Sequence, residues 1–139
     1  MKKHYGFSLT EMMVTIAVAG ILLAVAIPSY QSHIRSTNRG MASACLVQMS
    51  QFMERVYTSS MAYNSFNGSA TQLPTMQCRT DLLDEYTFSM TADESTYSVV
   101  ATPRGSQAGD TSCGALSINQ SGTRTANGES TADIVKKCW

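Results

Sequence analysis

Side chains that could catalyse a reaction or hold a metal ion are few and scattered in this sequence. The two histidines, His4 and His33, stand apart from any cluster of cysteines or carboxylates, so no histidine-based catalysis or metal binding is predicted. Asp81, Asp84 and Glu85 lack the spacing of a calcium-binding loop. The many serines and threonines come without a Gly-x-Ser-x-Gly turn or an accompanying base. We therefore expect a protein that is not an enzyme and that holds no metal and no cofactor.

The four cysteines point to disulfide bonds rather than to a zinc site. Cys45, Cys78, Cys113 and Cys138 lie far apart and form none of the close C-x-x-C pairs that bind zinc. An even number of cysteines in a small domain favours two disulfides, and their spacing alone leaves three pairings open. Disulfides in turn predict an oxidising compartment.

Glu11 is the single ionisable residue in an apolar run from Phe7 to Ile27. These 21 residues just suffice to cross a hydrocarbon core of about 30 Å at a helical rise of about 1.5 Å per residue. Two lysines, at positions 2 and 3, favour a cytoplasmic N-terminus, which would place everything after Pro28 in the periplasm. The predicted topology and the cysteines therefore agree on the compartment.

A secretory signal peptide is the main alternative explanation of this N-terminus, because it also has a basic start and an apolar run. The small residues Ala24-Val25-Ala26 lie inside the run rather than at its end. Gly6, which could mark a cut, stands before the run. A cut at Gly6 would retain the apolar segment in the mature chain.

The motif Gly6-Phe7-Ser8-Leu9-Thr10-Glu11 follows a short basic leader and precedes the apolar residues 12–27 and Pro28. This arrangement closely resembles the processing motif of type IV prepilins. The resemblance implies that a prepilin peptidase cuts between Gly6 and Phe7 and then methylates the new amine of Phe7. It covers the leader and the whole apolar run.

The resemblance also implies an assembly role for the helix. Glu11 would pair with the methylated Phe7 amine of a neighbouring subunit, although Ser8-Leu9-Thr10-Glu11 also fits a capping box that would stabilise the helix start by itself. Gly20 and Pro28 are compatible with an ordinary membrane helix. Because Pro28 removes an amide donor and Gly20 weakens the helix further, the alternative is a segment that unwinds in the filament.

A second stretch extends the resemblance towards the C-terminus. Residues 97–103, the run CGALSINQSG at residues 113–122 and the ending Cys138-Trp139 resemble minor pilins of the PilE type. The family implies a Cys113–Cys138 disulfide. Cys45–Cys78 is then the remaining pair, which we take as an extra bridge that not every member shares.

Periodicity predicts the elements that would position these residues. The long helix is expected from about residue 7 to about residue 58. Its second half has an apolar face at helical spacing, to which Met41 and Met53 add a methionine-rich stripe expected to pack on a sheet: Cys45, Met49, Phe52 and Val56. Strands are predicted where apolar residues alternate: Tyr86, Phe88 and Met90; Tyr97 and Val99; Leu116 and Ile118.

The expected fold class is α+β, the type IV pilin fold, in which a long N-terminal helix with a membrane-spanning first half packs against a small antiparallel sheet. Residues 63–84, rich in Ser, Asn, Gly and Thr, are expected to form a loop. The expected domains are a cytoplasmic leader at 1–6, a transmembrane and filament-core helix at 7–28, and a periplasmic or extracellular head at 29–139.

The predicted function is that of a structural subunit, a minor pilin of a type IV pilus. Expected partners are other pilin subunits, the prepilin peptidase, the assembly platform and the inner membrane, with an extracellular filament as the final location. A pseudopilin of type II secretion would share the N-terminal motif. A DNA-binding competence pilin is the other alternative. The chain has ten Lys+Arg against ten Asp+Glu and so lacks a general basic footprint, yet four cations could gather at one end of the head: Arg104, Arg124, Lys136 and Lys137.

Overall fold

The structure is a computed structural model that describes residues 8–139. The predicted cleavage and methylation site, Gly6 and Phe7, lies outside the described residues. The chain divides into two compact units, with the boundary between Ile34 and Arg35. In chain order the elements are α1 Leu9–Ser60, β1 Ser65–Phe66, β2 Ser69–Ala70, α2 Gln77–Asp81, β3 Tyr86–Ala92, β4 Tyr97–Pro103, a 3₁₀-helix Gly105–Gly109, β5 Leu116–Asn119, β6 Arg124–Ala126 and α3 Ala132–Cys138.

In the first unit, residues 8–34 contain the first half of α1, and its large apolar side chains are exposed. Leu9, Ile16 and Val25 expose 77%, 69% and 72% of their surface. By length and composition, α1 is apolar enough to cross a membrane. The helix continues through Pro28. The predicted unwinding concerns the filament and stays a prediction.

In the second unit, α1 buries one face from Ala42 onwards. Its buried residues recur at helical spacing, with Phe52 half-buried beside them: Ala42, Ser43, Cys45, Leu46, Met49, Met53 and Val56. The predicted packing is therefore confirmed for Cys45, Met49 and Val56. It is wrong for Met41, which is 45% exposed. The buried face at this level is formed by Ala42 and Ser43, and Met41 lies about 100° further round the helix from Ala42, outside that face.

The four longer strands form an antiparallel meander in the order β3-β4-β5-β6. Alternate residues face inwards, so Tyr86, Phe88, Val99, Leu116 and Ile118 join the buried α1 residues in one apolar core. The prediction of alternating strands is confirmed. So is the fold class, a long apolar helix packed against a small antiparallel sheet.

Residues 63–84 contain more structure than the predicted loop. β1 and β2 pair as a hairpin whose two turn residues, Asn67 and Gly68, have φ of 51° and 80°. Asn-Gly favours such a turn because both residues tolerate positive φ. The short helix α2 follows. The expectation of an unstructured loop is therefore wrong at these two places.

Two disulfides lie in the second unit. Cys45 on α1 is bonded to Cys78 on α2, and Cys113 is bonded to Cys138 at the end of α3. They join residues separated by 33 and 25 positions. These are the pairs that the family resemblance and the remaining two cysteines indicated. Each bridge removes freedom from the unfolded chain and so favours the folded head.

Candidate functional site

The start of α1 carries a reciprocal cap built from Ser8 and Glu11. The Ser8 backbone N–H donates to Glu11 Oε2 over 3.0 Å, and the Glu11 N–H donates to Ser8 Oγ over 3.3 Å. This is the capping box that the sequence allowed, and it satisfies two amides that a helix end leaves without partners. Glu11 is exposed, so its carboxylate remains accessible to a second positive group.

A continuous apolar surface follows Glu11 along α1. Its larger side chains are each at least half exposed, and they are Met12, Met13, Val14, Ile16, Val18, Ile21, Leu22, Leu23, Val25 and Ile27. Monomeric soluble proteins rarely expose so much contiguous apolar surface. This segment is therefore built to be covered by lipid or by other protein.

Gly20 and Pro28 both lie within this surface. A Cβ added at Gly20 would meet nothing within 4 Å, so close packing in the described residues does not require a glycine there. A glycine costs a helix about 1 kcal/mol relative to alanine, and an interior proline costs about 3 kcal/mol. The helix between them is therefore less stable than its apolar neighbours would allow.

A polar cluster fastens the 3₁₀-helix segment to α1 in the second unit. Arg39 forms an ion pair with Asp110, and their side chains are 17% and 8% exposed. Gln107 is fully buried, and its Nε2 donates to the carbonyl of Arg35 and to the Tyr86 hydroxyl, both over 3.0 Å. Burial raises the pKa of Tyr86 to about 12. We call Arg39, Tyr86, Gln107 and Asp110 the polar clasp.

Sequence inspection missed the polar clasp. Arg39 and Asp110 are 71 positions apart, and Gln107 lies in a segment of glycines, serines and threonines that resembles a solvated loop. No local periodicity links residues at such a separation. A buried glutamine is recognisable only from the fold around it.

Of the four cations that could gather on the head, the structure brings two to one cavity. Arg124 and Lys136 line an open cavity of about 480 Å³, with Thr123 and Ser130 also on its walls. The Arg124 guanidinium lies 5.2 Å from the centre of the Trp139 ring. Lys137 is exposed on the same short helix as Lys136, whereas Arg104 precedes the 3₁₀-helix and does not line this cavity.

Within residues 8–139, no group of three or more His, Cys, Asp or Glu side chains is arranged to hold a metal ion. The cysteines in this range are all in disulfides. The described chemistry is thus that of an exposed apolar helix with one capped carboxylate, joined in sequence to a disulfide-bonded head.

Comparison with known families accounts for both regions. Residues 1–27 match the prokaryotic N-terminal methylation motif. Residues 28–117 match a family described as type IV minor pilin ComP, DNA uptake sequence receptor. The chain belongs to the type IV minor pilins. The prediction of the family is confirmed, and the matching families are structural pilins rather than enzymes.

Curated relatives match this minor pilin through a short segment. Fimbrial protein EcpB of Eikenella corrodens is 53% identical over 34 residues, which are 24% of this chain and 21% of that protein. A fimbrial protein of Pseudomonas aeruginosa is 49% identical over 37 residues, 27% of this chain and 24% of that protein. The chain therefore spans less than a quarter of the length of the curated relatives it matches.

The fold has a solved counterpart. The crystal structure of the non-core minor pilin PilV of Neisseria meningitidis superposes with a TM-score of 0.53 at 18% identity. The match covers 73% of this minor pilin and 94% of that chain. At this identity the likeness concerns the fold alone, and it agrees with the α+β architecture described above.

Proposed function

We propose that this minor pilin is cut between Gly6 and Phe7, methylated at Phe7 and assembled into a type IV pilus through its apolar helix. The observation that carries the proposal is the exposed, membrane-length surface of α1 with one carboxylate, Glu11, at its capped start. The match of residues 1–27 to the methylation motif supports the processing step. No catalytic step by this chain is part of the proposal.

Glu11 draws the subunit into register by pairing with the protonated, methylated Phe7 amine of a neighbour. In the bilayer a carboxylate one turn from the helix start reaches the interface at modest cost. In a filament core it has no such exit and must be paired. Two opposite charges about 4 Å apart gain about 4 kcal/mol at an effective dielectric of about 20. That exceeds the contribution of the capping box, which is about 1 kcal/mol.

Before assembly the chain is anchored in the inner membrane with its head in the periplasm, because the leader is basic and the disulfides need an oxidising compartment. The prepilin peptidase and the assembly platform act on it there. In the filament, the helix between Gly20 and Pro28 unwinds. The two residues that weaken it, in a surface with room for larger side chains, support this step.

Replacement of Glu11 with Ala tests the assembly mechanism. Glu11→Ala should leave cleavage after Gly6 nearly intact and exclude the subunit from sheared filaments, with its normal partner pilins present. Glu129→Ala, which removes an exposed carboxylate from the head, is the matched control and should enter filaments normally. Equal entry of Glu11→Ala and Glu129→Ala would disprove the pairing.

DNA binding is a second candidate function, favoured by a specific observation. Arg124 and Lys136 converge on one cavity, and the matched family is described as a DNA uptake sequence receptor. Phosphate contacts by such cations release counterions, so binding should weaken steeply with salt. Arg124→Gln and Lys136→Gln should each weaken duplex binding and lower the salt dependence, while Arg104→Gln, outside the cavity, should not. Unchanged binding in all three variants would exclude this cavity as the DNA site.

A further inference from the structure

The two disulfides differ in how well a reagent in solution can reach them. Cys113 and Cys138 are 0% and 2% exposed and belong to the apolar core of the head. The neighbouring Trp139 is fixed in place, because its indole N–H donates to the Thr125 carbonyl over 2.9 Å and the Arg124 guanidinium lies over its ring. This bridge is therefore shielded by the packed head.

Cys45–Cys78 instead forms part of the wall of an open cavity of about 180 Å³. Cys45 is buried on α1, whereas Cys78 on α2 is half-buried. A water molecule takes up about 30 Å³ of the liquid, so this space can admit a small thiol with its carbon chain. Cys78 Sγ is therefore the sulfur that a reagent from solvent reaches first.

The short helix α2 depends on this bridge for its position against α1. Each of its five residues, Gln77–Asp81, is exposed or half-buried. Its hydrogen bonds include local ones, from Gln77 Nε2 to Asp81 Oδ1 and from the Arg79 guanidinium to the Pro74 carbonyl, each over 2.7 Å. Leu82, directly after α2, is buried in the core. The disulfide thus links α2 covalently to α1, and Leu82 keeps the segment nearby if that link opens.

Asp81 gives the cavity a negative rim. Among the described residues that line it, Asp81 alone is charged, and this residue is exposed. The attacking species in thiol–disulfide exchange is a thiolate, which Asp81 repels. A further negative charge on the reagent adds to that repulsion, and a positive charge offsets it. The cavity therefore favours a small thiol without net negative charge.

We propose that Cys45–Cys78 is a thiol-exchange site that takes such a small thiol and releases α2 when it opens. The reagent's thiolate bonds to Cys78 Sγ, the bond between the two protein sulfurs breaks, and its electron pair leaves on Cys45 Sγ, which takes a proton from water. A second thiol attacks the reagent's sulfur in this mixed disulfide and frees Cys78 as a thiol. The protein gains two electrons, and two reagent thiols become one disulfide. Reoxidation closes the bridge again, since Leu82 holds the two cysteines near each other.

Graded reduction of the full chain in detergent micelles tests the site. The protein is treated with mercaptoethanol, the free thiols are trapped with excess N-ethylmaleimide, and the labelled peptides are mapped. Cys45 and Cys78 should be labelled about tenfold faster than Cys113 and Cys138, and denaturant should abolish the preference because it exposes both bridges. Equal rates in the folded protein, earlier opening of Cys113–Cys138, or a preference that persists in denaturant would overturn the proposal.

Three thiols that share a two-carbon chain test the selectivity by charge. Cysteamine is positive, mercaptoethanol is neutral and mercaptoethanesulfonate is negative. At equal thiolate concentration, the rate of opening Cys45–Cys78 in the folded relative to the unfolded protein should fall about threefold from each thiol to the next, and less at high salt. Asp81→Asn should remove these steps, whereas Asp93→Asn, which removes an exposed carboxylate from the turn between β3 and β4, should keep them. Equal ratios in the parent, or unchanged steps in Asp81→Asn, would overturn the proposed selectivity.

Trypsin measures the release of α2. Once Cys45–Cys78 has been opened and trapped, cleavage after Arg79 should become about fivefold faster, because cleavage follows local opening, while Arg55 within α1 should stay protected. The double variant Cys45→Ser with Cys78→Ser should behave in the same way without any reductant. If cleavage after Arg79 is as slow as in the oxidised protein, α2 is not released and the switch is disproved. All these measurements use the chain outside filaments, so their failure would leave the assembly proposal standing, and failure of assembly would leave the thiol-exchange site standing.

Discussion

Both halves of α1 carry many large apolar side chains, but only one half buries them. Leu22 in the first half is 66% exposed, whereas Leu46 in the second is fully buried in the apolar core of the head. The second half buries its apolar side chains in the core of the head, within the same chain. The first half has apolar surface and no covering among residues 8–139. These apolar side chains therefore need lipid or other subunits to cover them. Substitutions among them should affect assembly rather than the stability of the head.

The largest difference between the halves should appear when a leucine is shortened in each. Leu46→Ala leaves a cavity in the core and should lower the free energy of unfolding of the head by about 3–5 kcal/mol. Leu22→Ala should change it by less than about 0.5 kcal/mol. Denaturant unfolding in micelles, followed by the fluorescence of the single tryptophan, measures both. Similar losses would show that the first half also supports the head.

Removal of a disulfide should have the next largest effect and should also be confined to the head. The double change Cys45→Ser and Cys78→Ser opens a loop of 33 positions and should cost about 3–4 kcal/mol. Membrane extraction of the chain should be unchanged, because the bridge lies outside the apolar surface. Altered membrane insertion of this variant would contradict the prediction that the disulfide affects the head alone.

Substitutions in the polar clasp measure how much the contact between α1 and the 3₁₀-helix segment stabilises the head. Arg39→Gln or Asp110→Asn leaves one charge without its partner and should each cost about 1–2 kcal/mol, reduced by partial exposure. The double variant should cost less than the sum, because both charges are then gone. Arg35→Gln is the control and should cost little, because among residues 8–139 its guanidinium makes one long hydrogen bond, of 3.5 Å, to the Gly109 carbonyl. If the loss in the double variant equals the sum of the two single losses, Arg39 and Asp110 do not stabilise the head through each other.

The smallest effect is a pH dependence from the buried tyrosine of the clasp. The pKa of Tyr86 rises from 10.0 in the unfolded chain to about 12 in the folded head, so the unfolded state loses its proton first as pH increases. Stability should be unaffected below pH about 10 and fall by about 1 kcal/mol at pH 11. Tyr86→Phe should lose this slope between pH 10 and 12, apart from what other tyrosines contribute. An equal slope in the variant would assign the effect elsewhere.

Local patterns predicted the parts of the fold that local chemistry determines. The apolar run, the capping box at Ser8 and Glu11, and the alternation in β3 and β4 each depend on residues a few positions apart. Met41 was misplaced because a stripe on a helix has margins that only the packed sheet defines. The dipeptide Asn67-Gly68 by itself favours a hairpin turn. The prediction missed the hairpin because it relied on the polar composition of residues 63–84, which is typical of a loop.

The rest required contacts over long separations. Arg39 and Asp110 meet across 71 positions, and Arg124 and Lys136 share a cavity because β6 and α3 pack together. Nothing near either residue in the sequence encodes its partner. The outward side of the four-stranded sheet is an intermediate case, since alternation shows each strand's outward residues but only the register shows which of them are neighbours.

The central claim is that the first half of α1 is retained and covered by other subunits, and the mass of the chain inside filaments tests it most directly. Filaments are sheared from cells, washed in high salt and digested, and the N-terminal peptide of this minor pilin is sequenced by mass spectrometry. The account predicts a chain that begins at Phe7 with one added methyl group. A filament-associated chain that begins at Met1, or one that begins after Ala26 and so has lost the apolar helix, would contradict it.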